Sequence, residues 1–230
     1  MKKILIISAF LFCSHMSDSQ VLISLLLGDK LNSPNIEFGL EGGLDFTNVN
    51  GFDNNGNLHS FNLGFYFDFR MKDNWFLHTG VQGISSLGMR ELSGSDLEFL
   101  EAETYDVEGK YNQKVTAFMV PILANYKFDN HIYVEAGPQL GWMYNGWVAF
   151  SSDEDNKDIN IKDYNKELLN WFNAGIAVGA GYKLVKGTGW NIGVRYYQGL
   201  TDVFKDRSSS LHHSVLLKVN VPIGVAKAAE

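Results

Sequence analysis

The sequence predicts an all-β fold, an eight-stranded antiparallel up-and-down barrel, and three observations support this prediction. The chain of 230 residues contains 16 Phe, 10 Tyr and 23 Gly but only 4 Pro, a composition typical of strands. Stretches in which apolar and polar residues alternate recur eight times. The connections between these stretches are alternately long and short along the whole chain.

The eight alternating stretches are the predicted strands. In the second stretch, every other residue from Phe61 to Phe69 is Phe or Leu, whereas Asn62, Asp68 and Arg70 fall on the opposite face. The sixth and eighth stretches repeat this two-faced pattern. The predicted strands are residues 36–48, 58–70, 75–89, 113–128, 131–150, 169–184, 189–201 and 211–225.

The connections predict how the strands are arranged. Residues 71–74, 129–130 and 185–188 are short turns. The long connections are residues 49–57, 90–112, 151–168 and 202–210. All long loops therefore lie at one end of the barrel. An even number of strands with this asymmetry is typical of outer-membrane barrels.

The stretch IYVEAGPQLGW, residues 132–142, shows the two different faces of a predicted strand. Either face could line the lumen. One face carries Ile132, Val134 and Trp142, and the other carries Glu135 together with glycines. The interior of an eight-stranded barrel is just wide enough for its own side chains, so the Phe-rich faces would overfill it. We therefore predict an eight-stranded antiparallel up-and-down transmembrane β-barrel, with the apolar face in lipid and the glycine-bearing face lining the lumen.

Aromatic residues and prolines give further information on the predicted strands. Aromatic residues near strand ends are predicted to form the girdles of the membrane interfaces. They are Trp75, Tyr126, Phe128, Trp142, Tyr144, Trp147, Tyr182 and Trp190. Pro121, Pro138 and Pro222 each remove a ladder donor, and we expect them to mark bulges or bends.

The N-terminus has the features of a cleaved signal peptide. Two lysines precede an apolar run from Ile4 to Cys13, which is too short to span a membrane as a helix. Cleavage would remove Cys13, the only cysteine, and would thus exclude disulfides and thiol catalysis. The predicted divisions are a signal peptide (1–19), a periplasmic N-terminal segment (20–35), the barrel (36–225) and a C-terminal tail (226–230).

Several segments resemble a known family. FMVPILANYKF (118–128), followed by HIYVEAGPQLGW (131–142), resembles the PorT-like outer-membrane β-barrel family of Bacteroidetes-type bacteria. FGLEGGLDFTN (38–48), FNAGIAVGAGYKL (172–184) and IGVRYYQGLTDV (192–203) are similar to its first, sixth and seventh strands. The resemblance implies the outer membrane of a Gram-negative bacterium and an accessory role in a protein-secretion apparatus. The chain departs from the usual barrel pattern at its end, where PIGV and AKAAE replace a terminal aromatic residue.

The predicted lumen carries a nearly balanced set of polar side chains. We predict a structural network that fills a closed lumen. The alternative is a proton or ion path, or an acid–base pair such as Glu135 with His78. The network comprises Glu37, Glu41, Asp68, Arg70, Glu135, Gln139, Lys183, Arg195 and Lys218, and Asp45 and Lys114 are placed on the same face.

The sequence contains no catalytic or metal-binding motif such as G-x-S-x-G, H-E-x-x-H or a P-loop. His212 and His213 are adjacent, so on a strand they point to opposite faces and do not share a metal ion. The acidic loop 151–163 lacks the glycine and the final glutamate of an EF-hand, and we expect it to be solvated. No cofactor and no metal are predicted.

The predicted function is that of a non-enzymatic integral barrel, a membrane-anchored scaffold or an accessory to a secretion apparatus. Its predicted partners are outer-membrane lipid and other envelope or secretion-system proteins, contacted through the long loops or the periplasmic ends. A net charge of -7 excludes nucleic acid. The alternatives are a narrow pore and a rim-active barrel that hydrolyses lipid or peptide. For the rim-active barrel the candidate residues are Ser85, Ser86, His59 and Asp202.

Overall fold

A computed structural model describes residues 33–53, 56–152, 159–184 and 189–223. Within these residues the chain forms one short α-helix, α1 (Gly94–Phe99), one 3-10 helix (Lys166–Leu168) and nine strands. The strands are β1 (Ile36–Val49), β2 (Gly56–Lys72), β3 (Trp75–Arg90), β4 (Lys110–Lys127), β5 (Ile132–Ser152), β6 (Ile159–Tyr164), β7 (Phe172–Lys183), β8 (Asn191–Asp202) and β9 (Leu211–Pro222). No helix in the described ranges is long and apolar enough to cross a membrane.

Eight of the strands close into an antiparallel ring. Each pairs with its neighbour in the order β1-β2-β3-β4-β5-β7-β8-β9, and β9 pairs with β1. This confirms the predicted fold class. The ring leaves no unpaired edge, as strands require in a bilayer, where no water satisfies free N–H and C=O groups.

The strand β6 was not predicted, and it lies outside the ring. β5 is 21 residues long and extends past the ring at the long-loop end, where β6 pairs with residues 147–152. The predicted loop 151–168 therefore contains a hairpin arm, and the predicted loop 90–112 contains α1. The signal peptide, most of the N-terminal segment and the tail fall outside the described residues.

On β2 and β5 the two faces of the strand are those predicted. Phe61 and Phe65 on β2 are 54% and 48% exposed on the outside of the ring, whereas Glu135 is 3% exposed inside it. Within residues 132–142, Val134 and Trp142 point outwards, and the residues between them alternate inwards.

Glycines make room inside the narrow bore. A Cβ atom at Gly181 would collide with the ring of Tyr133, and one at Gly193 would collide with its hydroxyl. Gly175 similarly leaves space for Tyr197. Large side chains thus lie across the glycines of neighbouring strands, which explains why the lumen-facing positions contain so many of them.

The prolines do not shift the strands. Pro121 lies opposite Gln139, and the next pair in the ladder, Ala124 with Ala136, keeps the same register. The register shift between β4 and β5 occurs instead at Thr116/Ala117. The prediction that Pro121 and Pro138 mark bulges was therefore wrong. The missing N–H groups interrupt the ladder without displacing it, and Pro222 simply ends β9.

Aromatic rings gather at two levels on the outer surface. At the short-turn end, Tyr126 contacts Trp75 and Phe128, with ring centroids 4.9 and 4.8 Å away. At the long-loop end, Phe118 stacks on Tyr144 at 4.9 Å. Two such levels are the girdles expected at the two interfaces of a membrane.

Candidate functional site

Four charged side chains meet in the periplasmic half of the lumen, and we call them the ionic cluster: Glu41, Glu135, Arg195 and Lys218. Arg195 donates from Nε to Glu135 Oε1 and from Nη1 to Glu41 Oε1, both at 2.7 Å. Lys218 Nζ donates to Glu41 Oε2 at 3.1 Å and to Glu135 Oε2 at 2.9 Å. All four residues are buried. Two cations thus neutralise two carboxylates, each bonded to both partners.

A second group extends the ionic cluster towards the periplasmic mouth. Asp68 Oδ2 accepts a hydrogen bond from Lys127 Nζ at 2.6 Å. His78 Nδ1 lies 2.6 Å from Asp68 Oδ1, and His78 Nε2 lies 3.2 Å from Glu41 Oε2. The imidazole ring of His78 therefore bridges the carboxylates of Asp68 and Glu41. The alternative interpretation of the sequence paired His78 with Glu135. The structure instead places His78 on β3 directly opposite Asp68 on β2.

The other predicted lumen residues contribute less. Gln139 is buried near the cluster, and its Oε1 has no partner among the described residues. Glu37 accepts from the hydroxyl of Tyr66 at 2.8 Å. Lys183 is half-buried, and Arg70 is exposed near the ring of Phe76.

Asp45 and Lys114 were both predicted to face the lumen, and the structure confirms this only for Asp45. Asp45 is buried in the lumen. Lys114 is not in the lumen, because its neighbours Gln113 and Val115 are both fully buried inside, which turns Lys114 outwards beside Trp147. The prediction was wrong at this position because both faces of β4 are apolar, with Val115 and Met119 inside and Phe118 outside. Alternation could not identify the inner face there.

The extracellular half of the lumen is filled by apolar side chains, which the sequence analysis missed. They form one buried cluster with residues of the loops above, and we call these side chains the apolar plug. Its main members are Leu87, Met89, Leu100, Val115, Met119, Val148 and Phe204. The sequence feature that could have predicted the plug is the run of apolar residues at inward positions near the long-loop ends of β3, β4 and β5.

Three loops cover the plug and form what we call the extracellular lid, residues 50–53, 91–109 and 203–210. Helix α1 begins after Ser93, whose Oγ accepts from the backbone N–H of Asp96 at 3.2 Å. Asp96 also accepts from the backbone N–H of Asp53 at 3.0 Å. The guanidinium of Arg207 lies 4.1 Å from the ring centroid of Phe52. Contacts between different loops thus hold the lid closed.

A small cavity lies between the ionic cluster and the plug. The internal cavity offers about 10 Å³ to the centre of a water molecule, room for about one water. His212 faces this cavity, with Nε2 2.9 Å from Thr47 Oγ1, whereas His213 lies on the outer face. The two histidines point to opposite faces, as predicted.

The rim residues do not form a catalytic arrangement. Ser85 is buried inside the lumen, whereas His59 is exposed outside and packs on Phe46 at 4.9 Å. The barrel wall therefore separates Ser85 from His59. Ser86 turns outwards like His59, but among the described residues its side chain has no hydrogen bond with His59 or Asp202. Over the described ranges, no group of three or more His, Cys, Asp or Glu is placed to hold a metal ion. Residues 153–158 of the acidic loop lie outside these ranges.

A closed ring of strands with an apolar exterior and a paired polar interior defines a transmembrane β-barrel. The chain belongs to the outer membrane protein beta-barrel domain family, whose model matches residues 30–205. The protein is therefore an outer-membrane β-barrel protein of a Gram-negative bacterium.

Solved structures with a similar fold include small outer-membrane barrels. Ail, the attachment invasion locus protein of Yersinia pestis, is 12% identical with a TM-score of 0.40, over 82% of this chain and 98% of that one. The Neisserial surface protein A is 11% identical with a TM-score of 0.41, over 83% and 97%. OprG of Pseudomonas aeruginosa is 13% identical with a TM-score of 0.36, over 82% and 93%. No curated protein matches the sequence.

Proposed function

We propose that the protein is a sealed, non-enzymatic barrel of the PorT-like branch, which anchors its extracellular lid in the outer membrane as a docking platform for other envelope or secretion-system proteins. The observation that carries the proposal is the double closure of the lumen. The ionic cluster closes the periplasmic half and the apolar plug closes the extracellular half.

The ionic cluster argues against a pore. A permeating ion would have to separate Arg195 from two carboxylates that it contacts at 2.7 Å, and both ion pairs are buried. The apolar plug above adds a barrier that no hydrated ion crosses without displacing a cluster of buried side chains.

The lid supports a docking role. Its apolar side chains, such as Leu97 and Leu100, are locked into the plug. Its outer side presents charged residues of α1 and the following turn, including Glu98 and Glu101, which are exposed. A rigid element that fixes polar side chains towards the outside suits recognition of another macromolecule better than transport through the lumen.

Planar-bilayer recording tests the sealed state. We expect the purified protein, inserted at verified density, to show no discrete conductance steps at ordinary voltages. An open porin inserted in the same bilayer gives the positive control. Steady current steps from the unmodified protein would contradict the proposal and favour the narrow pore.

Site-specific photo-crosslinking in cells tests the docking role. A crosslinking amino acid at Glu98 or Glu101 reports on the lid, and one at the exposed Lys72 reports on the periplasmic end. We expect a defined protein adduct from the lid positions, identified by mass spectrometry. If all three positions gave no adduct, the scaffold role would be excluded. An adduct from Lys72 alone would move the platform to the periplasmic side.

A further inference from the structure

The outer face of the β4–β5–β6 sheet carries two lysines that pair with no carboxylate of the described residues. Lys114 on β4 lies opposite Trp147 on β5, and Trp147 lies opposite Tyr164 on β6, so the three side chains form one row on this face. Lys162, two residues before Tyr164, places Nζ 5.1 Å from the Trp147 ring centroid. We call Lys114, Trp147, Lys162 and Tyr164 the lysine–tryptophan face.

The charge of this face differs from that of the whole chain. The protein carries a net charge of -7, yet among the described residues neither Lys114 nor Lys162 has a carboxylate oxygen within 4.0 Å. The nearby Lys110 is paired, since its Nζ lies 3.6 Å from Glu91 Oε1. Asp163 points to the other side of β6, where it accepts from the backbone N–H of Glu103. Over the part of the chain that the structure describes, the face is therefore locally cationic.

The height of this face places it at the level of the lipid headgroups. A strand tilted by about 40° climbs about 2.6 Å per residue along the membrane normal. Tyr126 marks the lower girdle on β4, and Lys114 lies twelve residues above it, at a height of about 31 Å. The apolar band of such barrels is about 25 Å tall, so Lys114 projects just beyond the hydrocarbon.

The side chains below the face support this position. Phe118 lies four residues below Lys114 on β4, and Tyr144 lies three residues below Trp147 on β5. The two rings stack on each other, and both side chains are about 45% exposed. Tyr164 is 65% exposed beside the lysines. An aromatic level with free ammonium groups directly above it is the arrangement that binds a lipid with an anionic headgroup.

We propose that the lysine–tryptophan face binds the phosphate groups of an outer-leaflet glycolipid. Lys114 and Lys162 approach from both sides of Trp147 and contact the phosphates, while the exposed rings of Phe118 and Tyr144 pack against the acyl chains. A glycolipid is favoured over a soluble anion because the site is continuous with the membrane-facing aromatic surface.

Native mass spectrometry of the detergent-solubilised protein with synthetic bisphosphorylated lipid A tests the proposal. Each lysine contributes about fivefold to binding an anionic lipid surface, so we expect the double variant Lys114→Gln/Lys162→Gln to bind about twenty-five-fold more weakly. The matched control is Arg70→Gln/Lys72→Gln, which changes the net charge equally at exposed basic residues of β2 at the short-turn end, away from this face. We expect the control to bind like the unmodified protein.

Four results would overturn the proposal. The first is equal loss of binding in the control, and the second is undiminished binding by the double variant. The third is that lipid A without phosphates binds as tightly. The fourth is that a soluble sulfated oligosaccharide binds the same lysines and excludes the lipid. Heat-modified electrophoretic mobility of each variant checks that the barrel is folded, and the single variants Lys114→Gln and Lys162→Gln serve if the double variant is not.

Discussion

Arg195 shows how a charge is kept in the centre of this barrel. Its Nε and Nη1 each donate to a different glutamate at 2.7 Å, and Nη2 donates to Glu41 Oε2 at 3.1 Å. Each of those glutamates also accepts from Lys218. Because burying a charge is costly unless it is paired and hydrogen-bonded, each member of the ionic cluster depends on the others.

Replacing Arg195 with leucine is therefore expected to destabilise the protein strongly. Arg195→Leu leaves two buried carboxylates with one lysine, which we expect to lower the free energy of unfolding by about 3–5 kcal/mol. Urea unfolding in detergent micelles, followed by tryptophan fluorescence, measures this change.

The matched control for this variant is Arg70→Leu on β2. Arg70 is exposed and contacts only the ring of Phe76, at 5.4 Å, among the contacts described, so its loss should cost less than about 1 kcal/mol. Similar losses in the two variants would show that the ionic cluster contributes no more than a surface charge.

At the scale of the element, the outward side chains of each strand lie at different depths in the membrane. On β4 the outward positions run from Tyr126 at the lower girdle through Ile122 to Thr116. With a climb of about 2.6 Å per residue, Ile122 lies about 10 Å above Tyr126 and Thr116 about 26 Å above it. The first is close to the middle of the hydrocarbon, and the second is at its upper boundary.

These depths predict that an arginine introduced on β4 lowers the free energy of unfolding by an amount that depends on its position. Ile122→Arg should lower the free energy of unfolding by about 2–4 kcal/mol, because arginine is least tolerated near the midplane. Thr116→Arg should lower it by about 1 kcal/mol or less. Urea unfolding from lipid vesicles measures both. Equal costs would mean that the membrane does not lie where the aromatic levels place it.

At the scale of the whole molecule, two seals of different chemistry lie in series. The ionic cluster depends only on the ring, because all its members are on strands β1, β5, β8 and β9. The apolar plug depends on the lid as well, since Leu100 and Phe204 come from loops. Either seal should thus close the lumen without the other.

Removing the seals one at a time tests this arrangement. Replacing residues 92–109 with a short glycine–serine linker should leave the barrel silent in planar bilayers, because the ionic cluster remains. Combining that replacement with Glu135→Ala/Arg195→Ala should give measurable conductance. This pair leaves Glu41 with Lys218 and so strands no buried charge. Conductance from the linker variant alone would show that the ionic cluster does not seal.

Much of the fold could be predicted from the sequence, and the failures have physical causes. Where one face is charged or glycine-bearing, as on β2, alternation identified the inner side. On β4 both faces are apolar, and Lys114 was assigned to the wrong one. The arm β6 and helix α1 were missed because each is only six residues long and is held by tertiary contacts.

The sequence by itself determined the strand ladder, the lipid-facing surface and the polar character of the lower lumen, because these follow from the two-residue period of a strand and the narrow bore of eight strands. Only the tertiary structure decided which charges meet. Glu41 and Arg195 are 154 residues apart and come together through the closure and stagger of the ring. Tertiary packing also decided that the upper lumen is closed by a lid, since that closure comes from contacts between separate loops.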